Sequence, residues 1–504
     1  MANSIIIIGG GIAGLAAGCY GQMNGYRTKI FEMHDIPGGL CTSWEREDYI
    51  IDGCIHYLYG AAPGKPFYHL WEELGAIQGR RMINQAEFMR IVDSDGRTFI
   101  LYCDPDRLET HLKETSPADA KLGKTFADGV RKFAGFDMSA LQATPRSLMG
   151  LLGWMRLGIR MLPFLPPLIQ WGPVSAEEFG RRFQDPFLQR AIPLMFAWKE
   201  IPMMAGLTQM AYMHQGNGAF PEGGSLAFAQ AIEKRYLELG GEITYKSQVE
   251  KILVRDDHAV GVRLYNDEEY QADIVISAAD ARSTIFDLLG GEYANQRIRN
   301  YFDGRLPTLS LLQVSLGVRR DLSNEPHWVT YLLDRPVTIA GEERCDVWVK
   351  NYCFDPTLAS AGKSVIEVLL KSNYGYWQHI YGRKSYDMEQ DQVADQVIDL
   401  LERFYPGLRQ DIEVVDVATP LSYERYTGNW LGSTCGWLLT KRTMPLNILG
   451  ISKTLPGLKN FYLVGQWVEP GGSLPLAASS GRNAIRMICH TDKKPFQTNL
   501  PDAP

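Results

Sequence analysis

An α/β fold with an open parallel sheet that binds a dinucleotide is predicted by three features near the start of the chain. Residues 5–8 are four consecutive isoleucines, an apolar run that suits a strand covered on both faces. The turn Gly9-Gly10-Gly11-Ile12-Ala13-Gly14 follows at once and opens a helix. A second strand, Thr28 to Phe31, ends on Glu32, with Met33 next. Gly9 permits the turn, and Gly11 lets a pyrophosphate approach the backbone. Gly14 lets helix and strand pack closely, while the helix N-terminus offers free N–H groups to the phosphates. Glu32 stands where an acid accepts hydrogen bonds from an adenosine ribose and disfavours a 2′-phosphate.

Further along, Pro37-Gly38-Gly39-Leu40-Cys41 places a second glycine pair just after the ribose acid. A block from Phe220 to Ser225 (Phe-Pro-Glu-Gly-Gly-Ser) opens a helix. It leads to Gly240-Gly241-Glu242-Ile243 and then Val249-Glu250-Lys251-Ile252. Near the C-terminus stand Val464-Gly465-Gln466-Trp467 and Pro470-Gly471-Gly472-Ser473-Leu474-Pro475, followed by Ser480-Gly481-Arg482. With these blocks, in this order over residues 1–490, the chain resembles the phytoene desaturase, carotenoid isomerase and retinol saturase branch of the flavin amine oxidase superfamily.

The resemblance implies a discontinuous Rossmann-like FAD-binding domain with an inserted α+β substrate domain. Residues 1–75, 216–285 and 456–492 would form the first. Residues 76–215 (helical) and 286–455 (a sheet flooring a cavity) would form the second, with a frayed tail at 493–504. It also implies an FAD site made of Gly9, Gly11, Ile12, Ala13, Gly14, Glu32, Met33, Gly38, Gly39, Leu40, Cys41, Ile55, His56, Val249, Ala278, Gly465, Gln466, Ser473, Leu474, Pro475 and Ala477. Val249 would cover the adenine with backbone contacts. The Leu474 N–H, at the start of a helix, would face the flavin's pyrimidine edge. Many relatives carry Gly-Asp where this chain has Gly465-Gln466, so different ribitol contacts are expected.

Within these blocks, Ser225 to Leu239 reads as a helix with Ser225 as N-cap and Leu226, Ala229, Ile232 and Leu237 packed. The segments Ile243–Tyr245, Val249–Val254 and Ala259–Tyr265 read as an antiparallel section with a turn at Asp256-Asp257. Residues 272–277 and 461–464 read as strands returning to the parallel sheet, and Leu309–Leu316 and Ser364–Leu370 as alternating strands of the substrate sheet.

Three side chains carry open readings. His56 either works near the flavin ring, the one catalytic candidate, or is a hydrogen-bonded structural histidine. Cys435 is either a covalent flavin anchor, as its spacing in monoamine oxidases suggests, or a buried thiol. Arg425 reads as a structural ion pair beside the cavity.

At 504 residues the chain is too long for one core. A net charge of −7, without a basic run, speaks against nucleic acid and against an electrostatic grip on anionic lipid. Eight cysteines without a Cys-x-x-Cys pair suit a reduced cytoplasmic setting. No Ser-His-Asp set, Walker loop or metal-spaced cluster stands out. The very apolar stretch 147–171 is interrupted by Arg156, Arg160 and Pro163, so it does not read as a span. It reads either as helices roofing a greasy cavity or as a monotopic patch that dips into lipid.

The function these readings favour is an FAD-dependent oxidoreductase acting on C–C bonds of a long isoprenoid, with a non-covalent flavin and an apolar small-molecule substrate. A flavin amine or amino-acid oxidase is the second reading. A prenyl-lipid carrier without flavin, of the kind that GDP-dissociation inhibitors exemplify, is the third.

Overall fold

The computed structural model describes residues 3–196 and 198–501. The last three residues of the tail segment lie outside it. Ser4–Ile8 sits at the centre of a five-stranded parallel sheet. In spatial order the strands are Glu242–Thr244, Arg27–Phe31, Ser4–Ile8, Ile274–Ser277 and Phe461–Leu463. The isoleucine run has a simple cause. Ile5 and Ile7 pack under the helices Ile12–Met23, Gly224–Glu238 and Leu474–Thr491, whereas Ile6 and Ile8 face the antiparallel ribbon behind. Both faces are covered, so both need apolar side chains.

That ribbon corrects one expectation. Its strands are Val249–Arg255, His258–Leu264 and Glu269–Gln271. The Glu242–Thr244 strand is not part of it; this strand pairs parallel with Arg27–Phe31 as the edge of the main sheet. The expected turn at Asp256 and Asp257 is present, both residues in the left-handed region.

A seven-stranded sheet forms the second layer system. In order it runs Ile412–Ala418, Leu311–Val318, Ser364–Lys371, Glu342–Asn351, Trp328–Ile339, Glu87–Val92 and Thr98–Tyr102. All pairs are antiparallel except Trp328–Ile339 with Glu87–Val92. Leu311–Val318 and Ser364–Lys371 are buried almost throughout instead of alternating, because helix Tyr386–Glu402 covers one face and the loop around Asp52 meets the other, where Gln313 donates to the Asp52 carbonyl. Helices Pro105–Thr115, Ala120–Phe133 and Met203–His214 close over the Phe88, Phe99 and Leu101 end.

Three local expectations change. The helix after residue 223 starts with Gly223 as its N-cap, and Ser225 instead spends its hydroxyl on Asp52. Leu237 is exposed and Leu226 only half-buried; Phe228 and Tyr236 fill the packed side with Ala229 and Ile232. The tail is not frayed over 493–501. Phe496 lies against Tyr20 and under Arg482, Gln497 exchanges hydrogen bonds with Asn24, and Asn499 accepts from Arg235.

Candidate functional site

A groove runs along the C-terminal ends of the parallel strands, where an open sheet of this kind takes its ligands. Each strand hands its backbone to its neighbour at this edge: Gly9 N–H donates to Phe31 (2.8 Å), Ala278 N–H to Ile8 (2.8 Å) and Val464 N–H to Ser277 (2.9 Å). The helix Ile12–Met23 begins at Gly11 with no side chain capping its N-terminus, so its first N–H groups stay unspent. Gly14 sets how deep that helix sits. A Cβ there would lie 2.0 Å from the Gly9 carbonyl oxygen. The second glycine turn locks onto the first through Gly38 N–H to the Gly10 carbonyl (2.9 Å). At Gly38, φ is +107° and a Cβ would meet the Cys41 carbonyl at 2.2 Å.

Of the residues expected at a cofactor site, the structure brings sixteen together on the wall of this groove: Gly9, Gly11, Ile12, Ala13, Glu32, Met33, Gly38, Gly39, Leu40, Cys41, Val249, Ala278, Gly465, Gln466, Leu474 and Ala477. Gly14 lies one step behind the turn. Ser473 and Pro475 flank Leu474 without lining the groove. Ile55 and His56 stand elsewhere, as described below.

The residues fit a dinucleotide. Glu32 is buried and aimed by two backbone donors, Gly10 N–H to Oε2 (2.6 Å) and His34 N–H to Oε1 (2.8 Å). Each oxygen keeps a further lone pair for a hydroxyl. At the other end, helix Leu474–Thr491 starts with no side-chain cap, and the buried Ser473 hydroxyl has no partner among the described residues. Gln466 turns its amide N–H towards Asn429 Oδ1 (3.4 Å), which leaves its carbonyl free to accept. Asp280 is the titratable side chain of the groove that sequence reading missed. Asp280 accepts from Ser283 N–H (2.8 Å) and Trp430 N–H (3.0 Å), and burial raises its carboxyl to about 6 despite these donors. Its only signal was position, three residues past the end of the Ile274–Ser277 strand. Past Glu32 the groove adjoins a second cleft of about 530 Å³ that shares Gly39, Leu40, Tyr426 and Thr427.

His56 belongs to a different, buried polar cluster on the seven-stranded sheet. The register places Trp328 opposite Lys350, Lys350 opposite Glu367, and Glu367 opposite Ser315. Lys350 Nζ donates to His56 Nδ1 (2.5 Å) and to the Tyr352 hydroxyl (2.7 Å), which donates on to Glu367 Oε2 (3.1 Å). The His56 ring meets Trp328 edge-on at 5.4 Å. Burial, then the Lys350 charge, holds His56 well below the usual imidazole range, so it is neutral and carries its proton on Nε2. Burial lowers Lys350 and pushes Glu367 up to about 7. The cluster can therefore hold or release a proton near neutrality. Asp52 pins the loop that carries His56, accepting from Cys54 N–H (3.1 Å), Ile55 N–H (3.2 Å) and Ser225 N–H (2.6 Å).

Cys435 is half-buried against the Gly472 turn, and burial raises its thiol to about 12, so the nucleophilic thiolate is scarce. Arg425 is not the expected ion pair. It is exposed in the second cleft, stacks on Tyr426 and donates to its hydroxyl (2.7 Å), and it has no carboxylate partner among the described residues.

The apolar stretch is not sealed in the core. Helix Leu151–Met161 has no buried residue, and Leu151 (78% exposed), Leu152 and Ile159 point to solvent along with Leu162, Leu165 and Ile169. Among the described residues no helix is long and apolar enough to cross a membrane.

Comparison with known proteins places this geometry in context. The family described as "Flavin containing amine oxidoreductase" matches residues 12–488. Prolycopene isomerase 1 of an Oncidium hybrid cultivar is 25% identical over 488 residues, covering 94% of this chain and 82% of that protein. A lycopene-forming phytoene desaturase of Pseudescherichia vulneris is 26% identical over 520 residues, covering 96% and 98%. Among solved structures, a putative protoporphyrinogen oxidase from Exiguobacterium sp. 255-15 shares the fold, with a TM-score of 0.61 at 15% identity over 97% of this chain and 99% of that one.

Proposed function

The chain belongs to the flavin-containing amine oxidoreductases, and from that premise we propose that it holds FAD without a covalent bond and acts on C–C bonds of a long apolar isoprenoid of the carotenoid class. The observation that carries the reading is the single groove in which the double glycine turn, the anchored Glu32 and two uncapped helix N-termini converge. The relatives' activities, prolycopene isomerisation and phytoene desaturation, supply the substrate class. When bound, the flavin supplies hydride transfer, whether the net result is desaturation, saturation or isomerisation.

The chain's own residues have the following roles. Glu32 accepts the adenosine ribose hydroxyls, and the Val249 backbone covers the adenine. The N–H groups of Ile12 and Ala13 face the pyrophosphate. The Leu474 N–H, at an uncapped helix start, would face the flavin and offer a donor to negative charge on its pyrimidine edge. Gln466 accepts a ribitol hydroxyl in place of the commoner acid. Cys435 stays a thiol. His56, tied to Lys350, orients the loop from Asp52 to His56 instead of titrating. The segments 1–75, 216–285 and 456–492 are assigned to the FAD-binding domain, and 76–215 with 286–455 to the substrate domain.

Helix Leu151–Met161 and its neighbours dock on lipid, which brings a membrane-dissolved substrate to the protein without a span. Its charged residues are arginines only, and the chain as a whole is acidic, so docking rests on apolar area.

Glu32→Ala should weaken FAD retention by roughly 1–3 kcal/mol, the scale of a lost charge-assisted hydrogen bond. Titration of apoprotein with FAD reads this, and unchanged affinity would remove Glu32 from the site. Bound flavin should not be reduced rapidly by micromolar NADH or NADPH, because the chain's one dinucleotide fingerprint is filled by FAD. Anaerobic flavin reduction against polyenes, retinoids and amines separates the main reading from an amine oxidase, which amines would reduce and which, once oxygen is admitted, would release hydrogen peroxide. A colourless purified protein would favour a prenyl-lipid carrier.

A further inference from the structure

Trp467 is shared between the wall of the dinucleotide groove and that of a larger cavity of about 700 Å³. Three properties of that cavity converge. The first is charge. Among the described residues Glu469 is the only acid on its wall, against Arg146, Lys453 and Arg297. Lys453 and Glu469 are both buried; the Lys453 ammonium donates to one oxygen of the Glu469 carboxylate, while Arg146 (3.3 Å) and Gln142 (3.0 Å) donate to the other. One carboxylate thus faces two enclosed cations. Arg297 lines the cavity, is exposed and, among the described residues, bonds the Tyr301 hydroxyl (2.9 Å) without a carboxylate partner. The wall is net positive in a chain whose net charge is −7. Enclosed charge in excess of its partner is costly unless an anion joins it.

The second property is unspent donors. Trp437 and Trp467 line the cavity, are almost wholly buried, and their indole N–H groups have no acceptor among the described residues.

The third is position. Ser147 lines the cavity, and four residues later the chain enters the exposed apolar helix Leu151–Met161. Leu449, on the same wall, ends helix Met444–Leu449, where Ile448 and Leu449 are themselves exposed. Arg146 ties the two stretches by donating to the carbonyls of Ile448 (2.8 Å) and Asn447 (2.7 Å). The cationic cavity therefore opens beside the apolar surface.

We propose that this cavity receives the phosphate head group of an anionic phospholipid from the bilayer on which helix Leu151–Met161 rests. Lys453, Arg146 and Arg297 meet the phosphate with the two indole N–H groups, and Ile448 and Leu449 meet the upper acyl chain. The inference rests on the docking reading above and adds lipid selectivity to it. That selectivity runs against the chain's overall charge, since a net negative protein is repelled by an anionic surface unless a local site outweighs the repulsion.

The test is flotation of the holoenzyme with phosphatidylcholine vesicles and with vesicles in which part of that lipid is replaced by phosphatidylglycerol. The expected result is several-fold more bound protein on the anionic vesicles. Arg297→Glu and, separately, Lys453→Met should abolish the preference while leaving binding to phosphatidylcholine unchanged. Arg297 is exposed, so its variant tests the site even if Lys453→Met does not fold. Equal binding of the unmodified protein to both vesicles overturns the head-group site alone, as does a preference that survives both substitutions. Binding to neither overturns the docking reading and this inference with it. A thermal shift with inorganic phosphate that both variants lose, without any lipid preference, would assign the cavity to a soluble phosphate compound instead.

Discussion

Two helices of nearly the same length and apolar character meet opposite fates. Met203–His214 has nine of its twelve residues buried, whereas Leu151–Met161 has none. Hydrophobicity alone does not separate them. Charge and glycine environment do. The buried helix carries no Lys, Arg, Asp or Glu, whereas the exposed one carries Arg156 and Arg160, one turn apart. At Gly206 in the buried helix an added Cβ would lie 2.5 Å from the Phe196 ring, so that glycine exists to admit a neighbour. At Gly158 in the exposed helix it would meet nothing within 4 Å. A flexible residue with no packing reason, among leucines that face outward, is what the docking proposal builds on.

The largest expected effect tests the buried member. Leu207 is fully buried, and Leu207→Ala should cost about 2–5 kcal/mol, read as a lower Tm. Leu152→Ser with Ile159→Ser, by contrast, should leave stability in lipid-free buffer within about 0.5 kcal/mol per site. A large loss there would mean that the exposed helix is structural.

The two regions should also separate by pH. Asp280 is held at about 6 by burial, above its ordinary value, so the folded chain keeps this proton more tightly than the unfolded one. Its contribution is full below about pH 4 and is lost as pH rises through about 6, a change of roughly 3 kcal/mol. Asp280→Asn should remove that trend, measured as the difference between the two proteins' stability profiles from pH 4 to 7. Vesicle binding through the arginine-only helix should stay flat across the same range. A parallel change in both would erase the distinction.

Opposite signs are expected from one substitution at the two glycines. Gly206→Ala should destabilise by about 1–3 kcal/mol through overpacking on Phe196. Gly158→Ala should stabilise by up to about 1 kcal/mol, the helix preference of alanine over glycine. Thermal unfolding of both variants decides this, and equal signs would refute the contrast. The smallest effect is that of salt. Association with neutral vesicles should hardly change with ionic strength, because it draws on apolar area at about 25 cal/mol per Å². Flotation across a salt series measures it.

What the sequence reveals follows the same division. The strand, double glycine turn, helix and acid are contiguous, so residues 5–41 could be read almost atom by atom. Glu242–Thr244 was misassigned because three residues carry no periodicity that tells a parallel edge from an antiparallel ribbon. The Lys350 cluster left no linear trace. Asp52, His56, Lys350, Tyr352 and Glu367 meet only because the sheet register lines up two neighbouring strands beneath a distant loop. Arg425 was misjudged for a similar reason, since no nearby acid in sequence guarantees one in space. The outward turn of helix Leu151–Met161 could not be chosen from pattern, because an outward-facing and a core-facing apolar stripe use the same residues.

The order of strands in the parallel sheet has a kinetic consequence. Ser4–Ile8 is flanked by Ile274–Ser277, whose other neighbour is Phe461–Leu463, and Gly481 packs so closely on the first helix that a Cβ would lie 2.3 Å from the Ala13 carbonyl. The first strand emerges from the ribosome hundreds of residues before the partners that complete its sheet. Contacts so distant in sequence form late and slowly. The face that carries Ile6 and Ile8 must wait for the distant ribbon to cover it, at risk of aggregation. The wall from Gly465 to Ala477 is made after the rest of the groove, so the groove is incomplete on a growing chain until those residues have been translated.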